Sequence, residues 1–180
     1  LQAISTDLVA RGGAVLGVAS YDFNEWQKHD ATVMQARQSM GRIDVALVAH
    51  GTLPDQSKSE TSSALVKSCM DDNFVSVAVI AQAVAQQLAQ QTSGTLAVVS
   101  SVAGDRGRKS NYTYGAAKAG IDTLLQGLQG RFSGSHVKIV NIKPGMVISP
   151  MTSEMRHSAI WSTPERVAPG IYQAIAKGTK

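Results

Sequence analysis

Tyr114 and Lys118 stand four residues apart in a stretch, 111–132, whose residues suit a helix. Four residues is one helical turn, so the two side chains share a face. A phenol ordinarily ionises at about 10 and is a poor acid or base near neutrality. An ammonium within about 4–6 Å favours its anion by direct charge attraction. Ser101 lies thirteen residues before Tyr114, at the end of a short apolar run. A Ser that steadies an oxygen, a Tyr that trades a proton and a Lys that tunes it would suit carbonyl–alcohol chemistry. A Tyr-x-x-x-Lys pair is more often a solvated surface pair, so the surrounding elements must decide whether the three side chains meet.

Those elements alternate. Residues 1–11 carry Leu1, Ile4, Leu8 and Val9 at helical spacing, stopped by Gly12-Gly13. The Val-rich run 14–21 reads as a buried strand ending at Asp22. Helix is predicted over 26–40, strand over 43–49, and a polar loop over 52–58. A long helix follows over 61–91, in two pieces joined near Asp71-Asp72-Asn73. Strand 95–100, loop 101–110, helix 111–132 and strand 136–142 come next, and Thr163-Pro164 opens the last helix. Continuous apolar strands alternating with helices imply a parallel sheet covered on both faces. Ligands of such sheets bind beyond the carboxyl ends of the strands. Asp22, His50-Gly51, Ser100-Ser101 and Pro144-Gly145 all lie just past strand ends and are expected to crowd together.

The chain has 180 residues, 43% hydrophobic and 17% charged, an ordinary globular balance for about one domain. A net charge of +4 is too small and scattered to demand nucleic acid; it makes an anionic ligand plausible. One cysteine, Cys69, forms no internal disulfide, and the chain reads as intracellular and cytoplasmic. Cys69 reads as a small buried filler. No run approaches a membrane span of about 18 apolar residues. His29, His136 and His157 lack metal-ligand spacing, and no metal is expected.

In order along the whole chain, Gly41-Arg42-Ile43-Asp44, Ser100-Ser101-Val102-Ala103-Gly104, Tyr114-Gly115-Ala116-Ala117-Lys118 and Pro144-Gly145 with Ser149 resemble the motifs of the short-chain dehydrogenase/reductases. Within that family the chain looks most like bacterial polyprenyl-phosphate keto-sugar reductases. The resemblance implies a three-layer, doubly wound, Rossmann-like α/β fold and a single dinucleotide-binding oxidoreductase domain over 1–180. It implies an NAD(P)H cofactor, with NADP somewhat favoured, and reduction of a ketone or keto-sugar. Tyr114 would be the proton donor, Lys118 would lower its pKa and bind the nicotinamide ribose, and Ser101 would steady the substrate oxygen. Asn73 matches the Asn that supports a proton-relay water, and Asp22 an acidic residue at the adenine. Ala49, His50 and Gly51, with Pro144, Gly145, Val147 and Ser149, would flank the cofactor. A homodimer or homotetramer, built by the apolar helix 74–89 and the Tyr114 helix, is the implied assembly.

Departures from the family pattern temper this. Its Asn-Asn-Ala-Gly turn is Val48-Ala49-His50-Gly51 here, and Ser149 stands where Thr is commoner. No Gly-x-x-x-Gly-x-Gly turn occurs. The resemblance therefore leads to the expectation of a sheet lacking its first two strands, incomplete at both ends, with further chain upstream of Leu1 and a seventh strand after Gly178. A catalytically degenerate nucleotide-binding protein and a sugar epimerase or dehydratase are the rival readings. Each residue also has a plainer role: Ser101 as a loop cap, Asn73 as a helix cap, Asp22 as a strand terminator. Arg106, Arg108 and Lys109 form either a solvated loop or a site for a substrate phosphate, since guanidinium groups bind phosphate bidentately.

Overall fold

A computed structural model describes residues 1–153, 155–156 and 158–178. Its centre is a three-stranded parallel sheet in the order β1-β2-β3, with β1 Val45–Val48, β2 Ser93–Val99 and β3 His136–Ile142. The register sets Val45 beside Thr95 and Ser93 beside His136. Helix α1 spans Gln2–Ala10, α2 His29–Met40, α3 Gln56–Ser59, α4 Ser63–Met70, α5 Ser76–Gln91, α6 Tyr112–Arg131 and α7 Pro164–Lys177.

Strand alternation assigns the two faces of the sheet. Leu96 and Val98 of β2 and Val137 and Ile139 of β3 enter the larger core, where α5 supplies Val77, Ala81, Val84 and Leu88 and α6 supplies Ile121, Leu125 and Leu128. Ala97, Val140 and Ile142 face the other way and meet Ile171, Ala174 and Ile175 of α7. Helices thus lie on both faces, as the alternating pattern predicts. Small residues let the layers close up. A Cβ on Gly120 would stand 2.9 Å from the Phe74 ring, so glycine there sets how near α6 comes to the chain before α5.

The long helix 61–91 is divided as the sequence suggests. A π-helical turn, Asp71–Val75, joins α4 to α5 and carries Asn73. Such turns are rare and recur at functional sites. Ser62 caps α4 by accepting from Leu65 N, and Pro164 opens α7 after Thr163.

Two expectations need correction. Residues 14–21 form no strand, and Leu16 and Val18 stay 64% and 51% exposed. Their side chains suit a strand, but a strand also needs a neighbouring edge for its N–H and C=O groups; β1 pairs with β2 alone among the described residues. The helix at the start of the chain forms, yet α1 buries none of its residues. The polar loop 52–58 runs into the short helix α3, capped by Asp55. His157 and any strand after Gly178 lie outside the described residues. Among those described, no helix is long and apolar enough to cross a membrane.

Ile121 is fully buried between helix and sheet. Ile121→Ala is expected to cost about 2–5 kcal/mol in urea unfolding, against less than about 0.5 kcal/mol for exposed Thr123→Ala on the same helix.

Candidate active site

The segments beyond β1, β2 and β3 meet as expected; the expected strand end at Asp22 does not form. Beyond β2, Ser101 caps a 3-10 turn, Val102–Asp105, its Oγ accepting from Ala103 N at 3.1 Å. Its hydroxyl lies near enough to the Tyr114 phenol to favour the phenolate. The turn leans on α6 because Gly104 has no side chain: a Cβ there would be 2.9 Å from Ala119 N. One helical turn after Tyr114, Lys118 is 3% exposed, with its Nζ 5.6 Å from the centre of the Tyr114 ring. Lys118 Nζ donates to Val99 O at 3.1 Å, at the very end of β2. Ser101, Tyr114 and Lys118 therefore form one cluster.

Asn73 closes the cluster from the other side and is fully buried. Its Oδ1 accepts from Thr52 N at 2.9 Å, and its Nδ2 donates to Cys69 O at 3.1 Å and Thr52 Oγ1 at 3.2 Å. The side-chain amide is thus spent on holding the loop after β1, a positioning role that the sequence left undecided. Thr52 is a site neighbour that the sequence did not single out, since a lone threonine after a glycine carries no distinctive signal. Gly51 lies between the two: a Cβ there would be 2.8 Å from Asn73 Oδ1 and 3.6 Å from Lys118 Nζ. Only bare backbone fits without displacement.

His50 is half-buried and takes up the room of the altered turn. Its ring stacks on Phe23 at 4.0 Å between centroids, and Nε2 lies 2.9 Å from Ser76 Oγ. Ser76 spends its own proton on Asp72 O at 2.9 Å. Nε2–H must then be the donor to Ser76, which leaves Nδ1 unprotonated. Burial, and then the Lys118 and His29 charges, push the His50 pKa down to about 4. Two residues after Asp22, Asn24 Nδ2 donates to Asp72 Oδ1 at 2.8 Å. Asp22 itself is exposed, and its Oδ1 accepts from Asn24 N at 2.9 Å in a turn; with no strand over 14–21, its plainer reading as a strand terminator does not hold. Ala49 is exposed.

Beyond β3, Pro144 O accepts from Val102 N at 3.4 Å, tying this loop to the Ser101 turn. Gly145 is exposed and Val147 bridges to Ser162. Ser149 N donates to Thr152 Oγ1 at 3.0 Å, closing a short turn. Arg106 and Lys109 are exposed, while Arg108 donates to Val102 O at 3.1 Å and braces the loop. His29 is buried, with Tyr21 Oη 2.9 Å from its Nδ1. Cys69 is a buried filler, as expected.

The electrostatics correct one expectation. Burial pushes the Tyr114 phenol above its ordinary value, and the nearby Ser101 hydroxyl only partly opposes it. Burial likewise lowers the Lys118 pKa, with Asp122 opposing. The protein groups by themselves thus do not lower the Tyr114 pKa. Burial disfavours both ions, and the phenol is held neutral, the form that can donate a proton. The donor set fits the ribose of a nicotinamide dinucleotide: a buried ammonium with one of its three N–H bonds given to Val99 O, beside a glycine whose missing side chain leaves the backbone open.

A family model described as short chain dehydrogenase matches residues 1–159. An uncharacterized oxidoreductase of Mycobacterium tuberculosis is 33% identical over 173 residues, 96% of this chain and 70% of the relative. One of Streptomyces coelicolor is 28% identical over 180 residues, all of this chain and 70% of the relative. One of Staphylococcus aureus is 28% identical over 136 residues, 76% of this chain and 59% of the relative.

His50 generates a pH prediction. Its folded pKa lies below its ordinary 6.5, so between 6.5 and about 4 the unfolded chain binds a proton that the folded protein refuses. Stability falls as pH drops through that window. His50→Gln is expected to flatten that part of the slope in urea unfolding series at pH 7, 6, 5 and 4.

Proposed function

The chain belongs to the short-chain dehydrogenase family of NAD(P)-dependent oxidoreductases, and from that premise we propose that it reduces a small-molecule ketone or keto-sugar to an alcohol with Tyr114 as the proton donor. The observation that carries this reading is the gathering of the Ser101 hydroxyl, the Tyr114 phenol and the buried Lys118 ammonium in one cluster, with Lys118 Nζ 5.6 Å from the centre of the Tyr114 ring. When bound, the dinucleotide supplies a hydride to the carbonyl carbon. Lys118 and Tyr114 would hold its nicotinamide ribose. His50-Gly51, Ala49, Pro144, Gly145, Val147 and Ser149 would border the ring, and Asp22 the adenine. NADP is the preferred dinucleotide in this reading.

Ser101 donates a hydrogen bond to the substrate oxygen and fixes it beside the phenol. Tyr114 gives its proton to that oxygen as negative charge develops there. Its burial suits this direction, because a raised pKa keeps the proton in place until the carbonyl needs it. Lys118 stabilises the phenolate that remains. Asn73 holds the Thr52 loop against the ammonium. In the alcohol-to-ketone direction the same phenol would have to ionise first.

The exposed Arg106, with Arg108, would meet a phosphate or a phosphorylated sugar carried by the substrate. The protein would work as a homodimer or homotetramer in the cytoplasm, with 1–180 as one dinucleotide-binding domain.

Two experiments test this. In the intact enzyme, absorbance at about 340 nm should report dinucleotide oxidation with a panel of ketones and keto-sugars, and Tyr114→Phe should lower turnover by about 10²–10⁴-fold while dinucleotide binding persists. Near-normal turnover of that variant would refute the assignment. Replacing Arg106 and Arg108 together by Ala should raise the Michaelis constant for a phosphorylated ketone and leave kcat largely intact; equal effects on phosphorylated and plain ketones would rule out phosphate recognition.

A further inference from the structure

A buried carboxylate that the proton transfer does not use lies directly behind the site. Asp122 is one helical turn beyond Lys118 on α6 and is 6% exposed. Its Oδ1 accepts from Ser100 Oγ at 2.6 Å and from Asn141 Nδ2 at 2.9 Å, and its Oδ2 pairs with Lys143 Nζ at 2.9 Å. Lys143 also pairs with Asp105. A Cβ on Gly104 would stand 2.9 Å from Asp122 Oδ2, so the 3-10 turn rests on the carboxylate.

Three pieces of the site converge on this one side chain. Ser100 precedes Ser101, and Asp105 ends the turn that Ser101 caps. Lys143 precedes Pro144-Gly145. Asp122 itself rides on the helix of Tyr114 and Lys118. A buried carboxylate is costly unless it is paired and hydrogen-bonded. Burial here pushes the Asp122 pKa up, but the hydrogen bonds from Lys143, Ser100 and Asn141 outweigh it and hold the group ionised.

We propose that Asp122 is a positioning residue: its carboxylate clamps the Ser101 turn and the Pro144 loop onto α6, so that the Ser101 hydroxyl and the Tyr114 phenol stay in register. This rests on the proton-transfer reading of Ser101 and Tyr114. The carboxylate has a second effect, on charge. Lys118 faces Tyr114 and Asp122 from its own helix, Cys69 from α4 and His50 from the loop after β1. Asp72 lies on the adjoining π turn, and Lys143 and Asp105 stand behind Asp122. The Cys69 thiol is pushed up by burial and stays neutral, and His50 is neutral above about 4. Asp122 supports the Lys118 charge against burial. Removing the Asp122 charge therefore lowers the Lys118 pKa, and the alkaline limb of turnover moves to lower pH.

The test uses the intact enzyme, the dinucleotide and the best ketone of the panel, with Asp122→Asn, Lys143→Met and Tyr114→Phe in parallel. Asp122→Asn keeps the shape and one acceptor. It is expected to lower kcat by about 10-fold, with dinucleotide affinity within about 3-fold, and to move the alkaline limb down by about one pH unit. Lys143→Met breaks the clamp without removing the Asp122 charge; kcat should fall without a downward move of the limb. If Asp122→Asn fails to fold, Lys143→Met decides by its kcat. A lower Tm with kcat and the limb unchanged would make Asp122 a purely stabilising group and overturn the proposal. Wild-type turnover by Tyr114→Phe would instead overturn the reading beneath it.

Discussion

The structure depends on keeping an ammonium where water hardly reaches. Lys118 is almost fully buried, and burial of a cation costs free energy unless partners offset it. The Val99 carbonyl takes one of its N–H bonds and the Asp122 charge supports it from the next helical turn. Much of the surrounding architecture follows from this. Glycine is needed at position 51 because anything larger would press on Asn73 and crowd the ammonium. The end of β2 must supply a carbonyl at the right height, and the register of β2 between β1 and β3 fixes that height.

The same burial decides the protonation of Tyr114. A phenol in this setting holds its proton more tightly than free tyrosine, and its ionisation requires help from charge that the protein alone does not bring to bear. A neutral phenol beside a serine hydroxyl is a proton donor in waiting, which suits a reductase better than a site built to draw protons from alcohols at rest.

Much of this was legible in the sequence. The Tyr114–Lys118 spacing, the break in the long helix near Asn73 and the Pro at the start of α7 are local signals: each depends on residues within one or two turns. The parallel sheet followed from continuous apolar strands. Residues 14–21 misled because their side chains carry the strand pattern, whereas strand formation needs a partner edge that no side chain encodes. The expected lowering of the Tyr114 pKa misled for a related reason. Spacing reveals the nearby charge but not the depth of burial that outweighs it. Asp122 and Lys143 were also missed. Asp122 sits four residues after Lys118 and Lys143 just before Pro144, but only the fold brings the two carboxylates, the lysine and Ser100 together.

Ultraviolet difference titration of Tyr114, taken as wild type minus Tyr114→Phe in the intact enzyme, tests the central claim most directly. The account predicts ionisation above the ordinary value of about 10 in the protein alone, and a downward displacement on binding the oxidised dinucleotide that Lys118→Met abolishes. A phenol that titrates identically with and without dinucleotide, or a displacement that survives the loss of Lys118, would contradict it.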